Sequence, residues 1–134
     1  MTKFFISPGD PSGIGPEITL KALSKNKNIQ DNFILAGDKT LYLNLIDKNN
    51  IDLNLIDESS NEKGVIFKHF PLQNEVLLGE PDKANANYII DILSYGALGC
   101  LKNKFKGLIT GPINKELINE SGFEFSGHTE FLSD

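Results

Sequence analysis

Three short stretches of this sequence gather residue types that can contact a ligand. The first stretch, residues 7–17, reads Ser-Pro-Gly-Asp-Pro-Ser-Gly-Ile-Gly-Pro-Glu and holds three glycines and three prolines. Such a loop can present backbone N–H groups to an anion or let a ligand approach the main chain closely. It matches neither the spaced glycines of the dinucleotide fingerprint nor the Gly-Lys-Ser/Thr ending of a P-loop. On the residues alone, a rigid structural turn and a ligand loop are evenly matched.

Within the first stretch, two positions are candidates for lining a cleft. Asp10 is the ionisable group in its interior, and its side chain is favoured as a turn or capping acceptor unless other evidence intervenes. Gly13 is a place where a ligand can come close to the backbone, because glycine has no Cβ. Both therefore stay open as cleft-lining candidates.

The second stretch, residues 110–115, reads Thr-Gly-Pro-Ile-Asn-Lys and combines a hydroxyl, an amide and an ammonium group. Thr110 and Lys115 are its cleft-lining candidates, and Lys115 could contact a phosphate as a point charge. From the spacing alone, a solvent-exposed lysine on a helix is favoured over a phosphate contact by roughly two to one.

The third stretch, residues 126–130, reads Ser-Gly-His-Thr-Glu and gathers an imidazole, a hydroxyl and a carboxylate. His128 can donate, accept or bind metal near neutral pH, and Thr129 can hydrogen-bond a substrate hydroxyl or phosphate oxygen. Taken in isolation, the pattern favours a helix cap by Thr129 and a histidine without a functional role. The other histidine, His69, has no supporting neighbour, and a structural role is favoured for it.

The apolar pattern places the first two stretches directly after predicted strands. Strands are predicted at 3–7, 32–36, 51–55, 65–70 and 107–110, and helices at 16–24, after an Asp38 cap, at 81–104 and at 114–119. Helices between short apolar strands indicate an α/β fold with a mainly parallel sheet flanked by helices. In such sheets, ligands bind at loops that follow the carboxyl ends of strands.

Composition narrows the classes of partner. The 134 residues carry 13 lysines, no arginine and 18 acidic residues, a net charge of −5, so neither nucleic acid nor an anionic membrane is an expected partner. The apolar run at 4–6 is far too short for a signal peptide or membrane span, which makes the cytoplasm the expected compartment. A lone cysteine, Cys100, is interpreted as a small buried hydrophobe. Two histidines 59 positions apart form no recognisable metal site.

The three stretches together resemble a known family. Residues 8–17, 108–115 and 125–132 resemble, in the right order, three sequence blocks of the 4-hydroxythreonine-4-phosphate dehydrogenase family. The resemblance is strong at these blocks and faint between them. It implies a fold similar to that of isocitrate and isopropylmalate dehydrogenases, and it covers somewhat under half of the usual enzyme.

The resemblance also implies a reaction. The family oxidises the C3 hydroxyl of 4-phosphooxy-L-threonine by hydride transfer to NAD or NADP, and the resulting β-keto acid loses carbon dioxide to give 3-amino-2-oxopropyl phosphate. A divalent metal ion (Zn, Mg or Co) acts as the Lewis acid. The matching positions here imply that His128 and Thr129 bind the phosphorylated substrate.

Other properties implied by the resemblance lie outside these 134 residues. The family's metal ligands and cofactor-binding segments come later in its sequence, so neither is expected in this chain, and the active site is shared across a homodimer cleft. Because the chain stops at Asp134 just after a loop that opens a helix, we interpret 1–134 as the N-terminal segment of a longer two-domain enzyme, inactive by itself.

Two alternatives remain open at this stage. A relative acting on another phosphorylated four-carbon hydroxy acid, such as threonate or erythronate phosphate, would carry the same stretches. A non-catalytic binding fragment is the alternative from a different class, motivated by the missing metal ligands.

Overall fold

The computed structural model describes residues 3–72, 79 and 85–113. Five strands and three α-helices follow one another, with a 3-10 helix at Lys27–Asn32 between the first helix and the second strand. In chain order the elements are β1 (Lys3–Ser7), α1 (Gly15–Lys25), β2 (Phe33–Gly37), α2 (Lys39–Lys48), β3 (Leu55–Ile56), β4 (Val65–His69), α3 (Ala86–Leu101) and β5 (Phe105–Thr110).

These strands form one parallel sheet in the order β3-β4-β2-β1-β5. From β1 the chain passes to β2 and then to the edge strand β3. It returns to place β4 between β3 and β2, and then crosses through α3 to place β5 on the opposite side of β1. Because the strands are parallel, the loops after all five of them lie at the same edge. The prediction of a parallel α/β sheet flanked by helices is confirmed.

Alternating side chains divide the core into two layers, one on each face of the sheet. Phe5 belongs to the layer under α3, whereas its neighbour Ile6 belongs to the layer under α1 and α2. Likewise, Leu35 faces α1 and α2, and Ala36 faces α3. A sheet buried on both faces explains why these strands are continuous apolar runs in the sequence.

Asp38 fixes the start of α2 and also ties down the chain beyond β4. Its Oδ1 accepts from the N–H of Leu41 at 3.1 Å, as the predicted helix cap requires, while Oδ2 accepts from the N–H of Leu72 at 2.8 Å. Its own N–H donates to the Tyr88 hydroxyl at 2.9 Å. Burial raises the pKa of that hydroxyl above its ordinary value, so Tyr88 stays neutral at this junction. One residue therefore joins β2, α2 and α3.

An asparagine with a positive φ terminates the chain reversal after each of two helices, a signal that the sequence prediction missed. Asn50 and Asn103 adopt φ values of 51° and 59°, in the left-handed region. The N–H of Ile51 then donates to the carbonyl of Ile46 at 3.0 Å, and that of Lys104 donates to the carbonyl of Gly99 at 2.7 Å. These bonds form Schellman motifs, which asparagine permits although glycine is the usual signal.

The motif after α2 explains why the predicted strand at 51–55 was wrong over most of its length. Residue Ile51 is still bonded to α2, and the N–H of Leu53 donates to the carbonyl of Ile51 at 3.2 Å. Only Leu55–Ile56 pairs in the sheet, as an edge strand beside β4. The helix predicted to reach 104 likewise ends at Leu101. The predicted helix at 114–119 and the predicted start of α3 near 81 lie outside the described residues.

Two glycines of α3 make room for side chains of the sheet. A Cβ at Gly96 would contact the side chains of Phe5 and Leu108, and one at Gly99 would overlap the ring of Phe105. The two glycines therefore make room for aromatic rings of the sheet, including the stacked pair Phe5–Phe105 with centroids 4.8 Å apart. This packing compensates for the low helix propensity of glycine relative to alanine.

Across the part of the chain that the structure describes, no helix combines the length and the apolar character needed to cross a bilayer.

We predict that Asp38→Ala lowers the free energy of unfolding of the protein by about 2–3 kcal/mol, because it removes a helix cap and leaves the Leu72 N–H without its acceptor. Urea denaturation measures the change. Asp47→Ala, which alters an exposed acid of the same helix, should stay within about 0.5 kcal/mol. Equal losses in the two variants would contradict the junction role of Asp38.

We also predict that Gly99→Ala destabilises the protein by about 1–3 kcal/mol, because the new methyl group overlaps the Phe105 ring. In Phe105→Leu the ring is absent, so Gly99→Ala should cost much less in that background. A double-mutant cycle with thermal denaturation measures this coupling. Additive effects would show that the glycine is not required by the ring.

Candidate functional site

The first and second stretches meet at the carboxyl edge of the sheet, where β1 and β5 lie side by side. Ser7 pairs with Thr110 in the last register position of these strands. Beyond it, the N–H of Gly111 donates to the carbonyl of Ser7 at 2.7 Å, and the N–H of Asp10 donates to the carbonyl of Pro112 at 3.0 Å. The two loops are therefore bonded to each other in both directions.

Glycines make this interlock sterically feasible. The carbonyl oxygen of Pro8 lies where a Cβ would stand at both Gly15 and Gly111, and the carbonyl oxygen of Pro112 lies where one would stand at Gly9. Gly9 also has a φ of +90°, a conformation that side chains disfavour. Most of the glycines in the two loops are thus needed for one loop to pack against the other.

Asp10 and Ser12 form a tight turn at the tip of the first stretch. The Asp10 Oδ1 accepts from the Ser12 N–H at 2.9 Å and from the Ser12 hydroxyl at 2.7 Å. The N–H of Gly13 closes the turn on the Asp10 carbonyl at 3.0 Å. Ser12 is only 3% exposed, and its carbonyl accepts from the N–H of Gly79 at 2.8 Å. The carboxylate of Asp10 is consequently held in one orientation on a fixed turn, with its residue half-buried.

The meeting point of the two loops is a topological switch point. From β1 the chain passes to α1 on one face of the sheet, whereas it reaches β5 from α3 on the other face. Strand order reverses here, since β2 lies on one side of β1 and β5 on the other, and ligands of parallel α/β sheets bind at the carboxyl ends of the strands at such a point. The edge where the two loops meet, which we call the β1–β5 crevice, is therefore the candidate site.

Three of the predicted cleft-lining residues lie at this edge of the sheet, and the others fall outside the described residues. Asp10, Gly13 and Thr110 all lie on the two interlocked loops or at their bases, although their contact with a ligand stays a prediction. Lys115 and the substrate-binding pair, His128 and Thr129, lie outside the described residues.

A buried amide at the same edge was not singled out from the sequence. Asn85, directly before α3, is 2% exposed, and among the described residues neither its Oδ1 nor its Nδ2 has a hydrogen-bond partner. Buried amides are normally paired, so this one needs an explanation such as a bound water or ligand. Asparagine before a helix is a common cap signal. That signal was missed here because the helix was predicted to begin at 81, five residues before Ala86, and the side chain makes no capping bond in any case.

Two other residues considered in the sequence prove structural. The His69 Nδ1 accepts from the N–H of Lys39 at 3.1 Å, which places the ring at the start of α2. Cys100 packs against the α3 core layer as a small hydrophobic residue, although it is only partly buried. Partial burial raises the pKa of its thiol.

A separate groove of about 300 Å³ lies on the α3 face of the sheet. Tyr95 forms one wall, and the ammonium groups of Lys68 and Lys104 lie 5.5 and 5.0 Å from its ring centroid. Apolar side chains from three neighbouring strands also line it: Ile34, Ile56 and Ile66. No described residue of the two interlocked loops lines this groove, so it is distinct from the crevice.

The described residues do not fit a metal centre. Within 3–72 and 85–113, no three His, Cys, Asp or Glu side chains come together as a metal ion would need. No catalytic step is therefore assigned to a metal held by these residues.

Comparison with known proteins gives a consistent family. A family model described as pyridoxal phosphate biosynthetic protein PdxA matches residues 28–134. Relatives named 4-hydroxythreonine-4-phosphate dehydrogenase include those of Vibrio parahaemolyticus, 32% identical over 98% of this chain and 41% of the relative, and of Pseudomonas aeruginosa, 35% identical over 98% and 42%. The chain thus spans about two-fifths of the length of these relatives.

Solved structures agree in fold. A putative 4-hydroxythreonine-4-phosphate dehydrogenase from Salmonella typhimurium superimposes with a TM-score of 0.85 at 27% identity, covering 99% of this chain and 44% of that one. The enzyme of that name from Burkholderia phymatum gives a TM-score of 0.86 at 20% identity, covering 99% and 43%, a likeness of fold alone. On the family-model match, this chain belongs to the PdxA family of pyridoxal phosphate biosynthetic proteins.

Proposed function

We propose that the protein containing this chain is a 4-hydroxythreonine-4-phosphate dehydrogenase, an oxidoreductase of pyridoxal phosphate synthesis. It oxidises the C3 hydroxyl of 4-phosphooxy-L-threonine, passing a hydride to NAD⁺ or NADP⁺. The β-keto acid then loses carbon dioxide and leaves 3-amino-2-oxopropyl phosphate. Activity, substrate and cofactor are proposals, because the chain spans only about two-fifths of the relatives that carry this name.

The observation that carries the proposal is the interlock of the first and second stretches at the β1–β5 crevice. These are two of the three segments on which the family resemblance was based, and hydrogen bonds of 2.7 and 3.0 Å hold them together at the ligand-binding edge of the sheet. A structural turn remote from any crevice would not need both segments at one switch point. Their convergence favours a shared role in forming one wall of a cleft.

Each segment has a proposed task. His128 and Thr129 contact the phosphorylated substrate through the imidazole and the hydroxyl group. Asp10, Gly13 and Thr110 line the cleft, and Lys115 attracts the negatively charged substrate. Since this chain has no arginine, bidentate recognition of the phosphate must come from outside these 134 residues.

Cofactor, metal and assembly follow from the same proposal. The nicotinamide cofactor accepts the hydride, and a divalent metal (Zn, Mg or Co) supplies Lewis-acid assistance when bound. Ligands for both come from segments beyond those described, within a cytoplasmic homodimer.

The activity assay should use the protein expressed from its complete reading frame, with 4-phosphooxy-L-threonine, NAD⁺ or NADP⁺ and divalent metal. We expect reduced nicotinamide, absorbing at its usual wavelength, and release of carbon dioxide in equal amounts. Threonate and erythronate 4-phosphates serve as the substrate panel, and higher kcat/KM with either would favour the related dehydrogenase. No turnover with any of the three would refute the enzyme and leave the non-catalytic binding fragment.

A second prediction concerns the substrate contacts. His128→Ala should lower kcat/KM about 10- to 100-fold, the effect of losing one charged hydrogen bond, with little change in melting temperature. His69→Ala is the matched control, because it removes the other histidine of the chain, which contacts the start of α2. An unchanged kcat/KM in His128→Ala, or an equal fall in both variants, would exclude the substrate role.

A further inference from the structure

We propose that Gly13 is the position in the first stretch where a ligand approaches the main chain, so that its missing side chain sets which ligand fits. The proposal rests on the proposed dehydrogenase function and deepens it. The proposal distinguishes Gly13 from the other glycines of the two interlocked loops, which are required for packing within the protein.

Neighbouring atoms distinguish the glycines of the two interlocked loops. At Gly9, Gly15 and Gly111, backbone atoms of the opposite or adjoining segment already occupy the place of a Cβ. At Gly13, a Cβ would meet only the Asp10 carbonyl oxygen at 3.5 Å and the Asp10 Cβ at 3.7 Å, both ordinary contacts within its own turn. No other part of the described protein fills this space.

Backbone conformation does not require glycine at this position either. Gly9 is among the glycines with positive φ, whereas Gly13 is not. Its N–H closes the turn on the Asp10 carbonyl, a bond that alanine would also make. Within the described residues, therefore, neither conformation nor packing requires glycine at this position, and the residue is partly exposed beside the crevice.

Asp10 indicates the chemistry of the ligand portion that passes here. Its carboxylate, fixed by two hydrogen bonds from Ser12, lies on the same turn as Gly13. A fixed carboxylate attracts hydroxyl or ammonium donors and repels a phosphate. The portion next to Gly13 is therefore hydroxyl- or ammonium-bearing, which fits either the amino alcohol end of the substrate or a ribose of the nicotinamide cofactor.

The test compares Gly13→Ala and Gly13→Val with Gly15→Ala in the protein from the complete reading frame. Gly13→Ala should keep or slightly raise the melting temperature, as glycine-to-alanine changes do at compatible sites. It should raise KM for the substrate or the cofactor at least about 10-fold, the usual effect of one extra carbon in a fitted site, with a larger rise for Gly13→Val. Gly15→Ala should lose the fold, and Ser24→Thr, which adds a methyl group at the far end of α1, should leave both KM values unchanged.

The outcomes separate the ligand sources and the two proposals. A KM rise confined to 4-phosphooxy-L-threonine assigns the space to the substrate, and one confined to the nicotinamide assigns it to the cofactor. An active wild type in which Gly13→Ala leaves both KM values within about twofold overturns the proposal, as does a fall in melting temperature like that of Gly15→Ala. An inactive wild type overturns the proposed function itself, and this inference with it.

Discussion

The Pro8 carbonyl group is the constraint on which the candidate site depends. It lies against Gly15 at the start of α1 and against Gly111 beyond β5, so a side chain at Gly15 would displace the first loop from α1 and one at Gly111 would push the two loops apart. The hydrogen bond from Gly111 to Ser7 and the bond from Asp10 to Pro112 depend on this close approach. Local composition and tertiary packing are therefore linked directly: the glycines permit two loops distant in sequence to form one surface.

That surface exists only because α3 returns the chain across the sheet. Its glycines accept the rings of Phe5 and Phe105, which lets the helix lie close to β1 and β5 and places β5 beside β1. At the other end of the helix, the Tyr88 hydroxyl accepts a bond from Asp38 and fixes α3 against β2. The crevice is thus held by packing on one face of the sheet and by the loop interlock at its edge.

Much of the fold could be predicted because it follows from local patterns. Apolar runs located the strands, the Asp38 cap marked α2, and alternation of helices and strands indicated a parallel sheet. The errors arose where a local signal was unusual. Asn50 and Asn103 end their helices where glycine is the usual signal. The Schellman motif at Asn50 includes Ile51, which the alternating pattern had assigned to a strand. An asparagine in a sequence carries no sign of whether its φ will be positive.

By itself, the sequence determined the chemistry available to this protein: lysines without arginine, a glycine- and proline-rich first stretch, and the residues that link it to its family. Tertiary structure decided which glycines serve packing and which faces open space among the described residues, because Pro8 meets Gly111, and Pro112 meets Gly9, only once β5 lies beside β1. It also buried Asn85 without a hydrogen-bond partner among the residues that the structure describes. Contacts between residues about 100 positions apart depend on strand order, and no local pattern specifies that order.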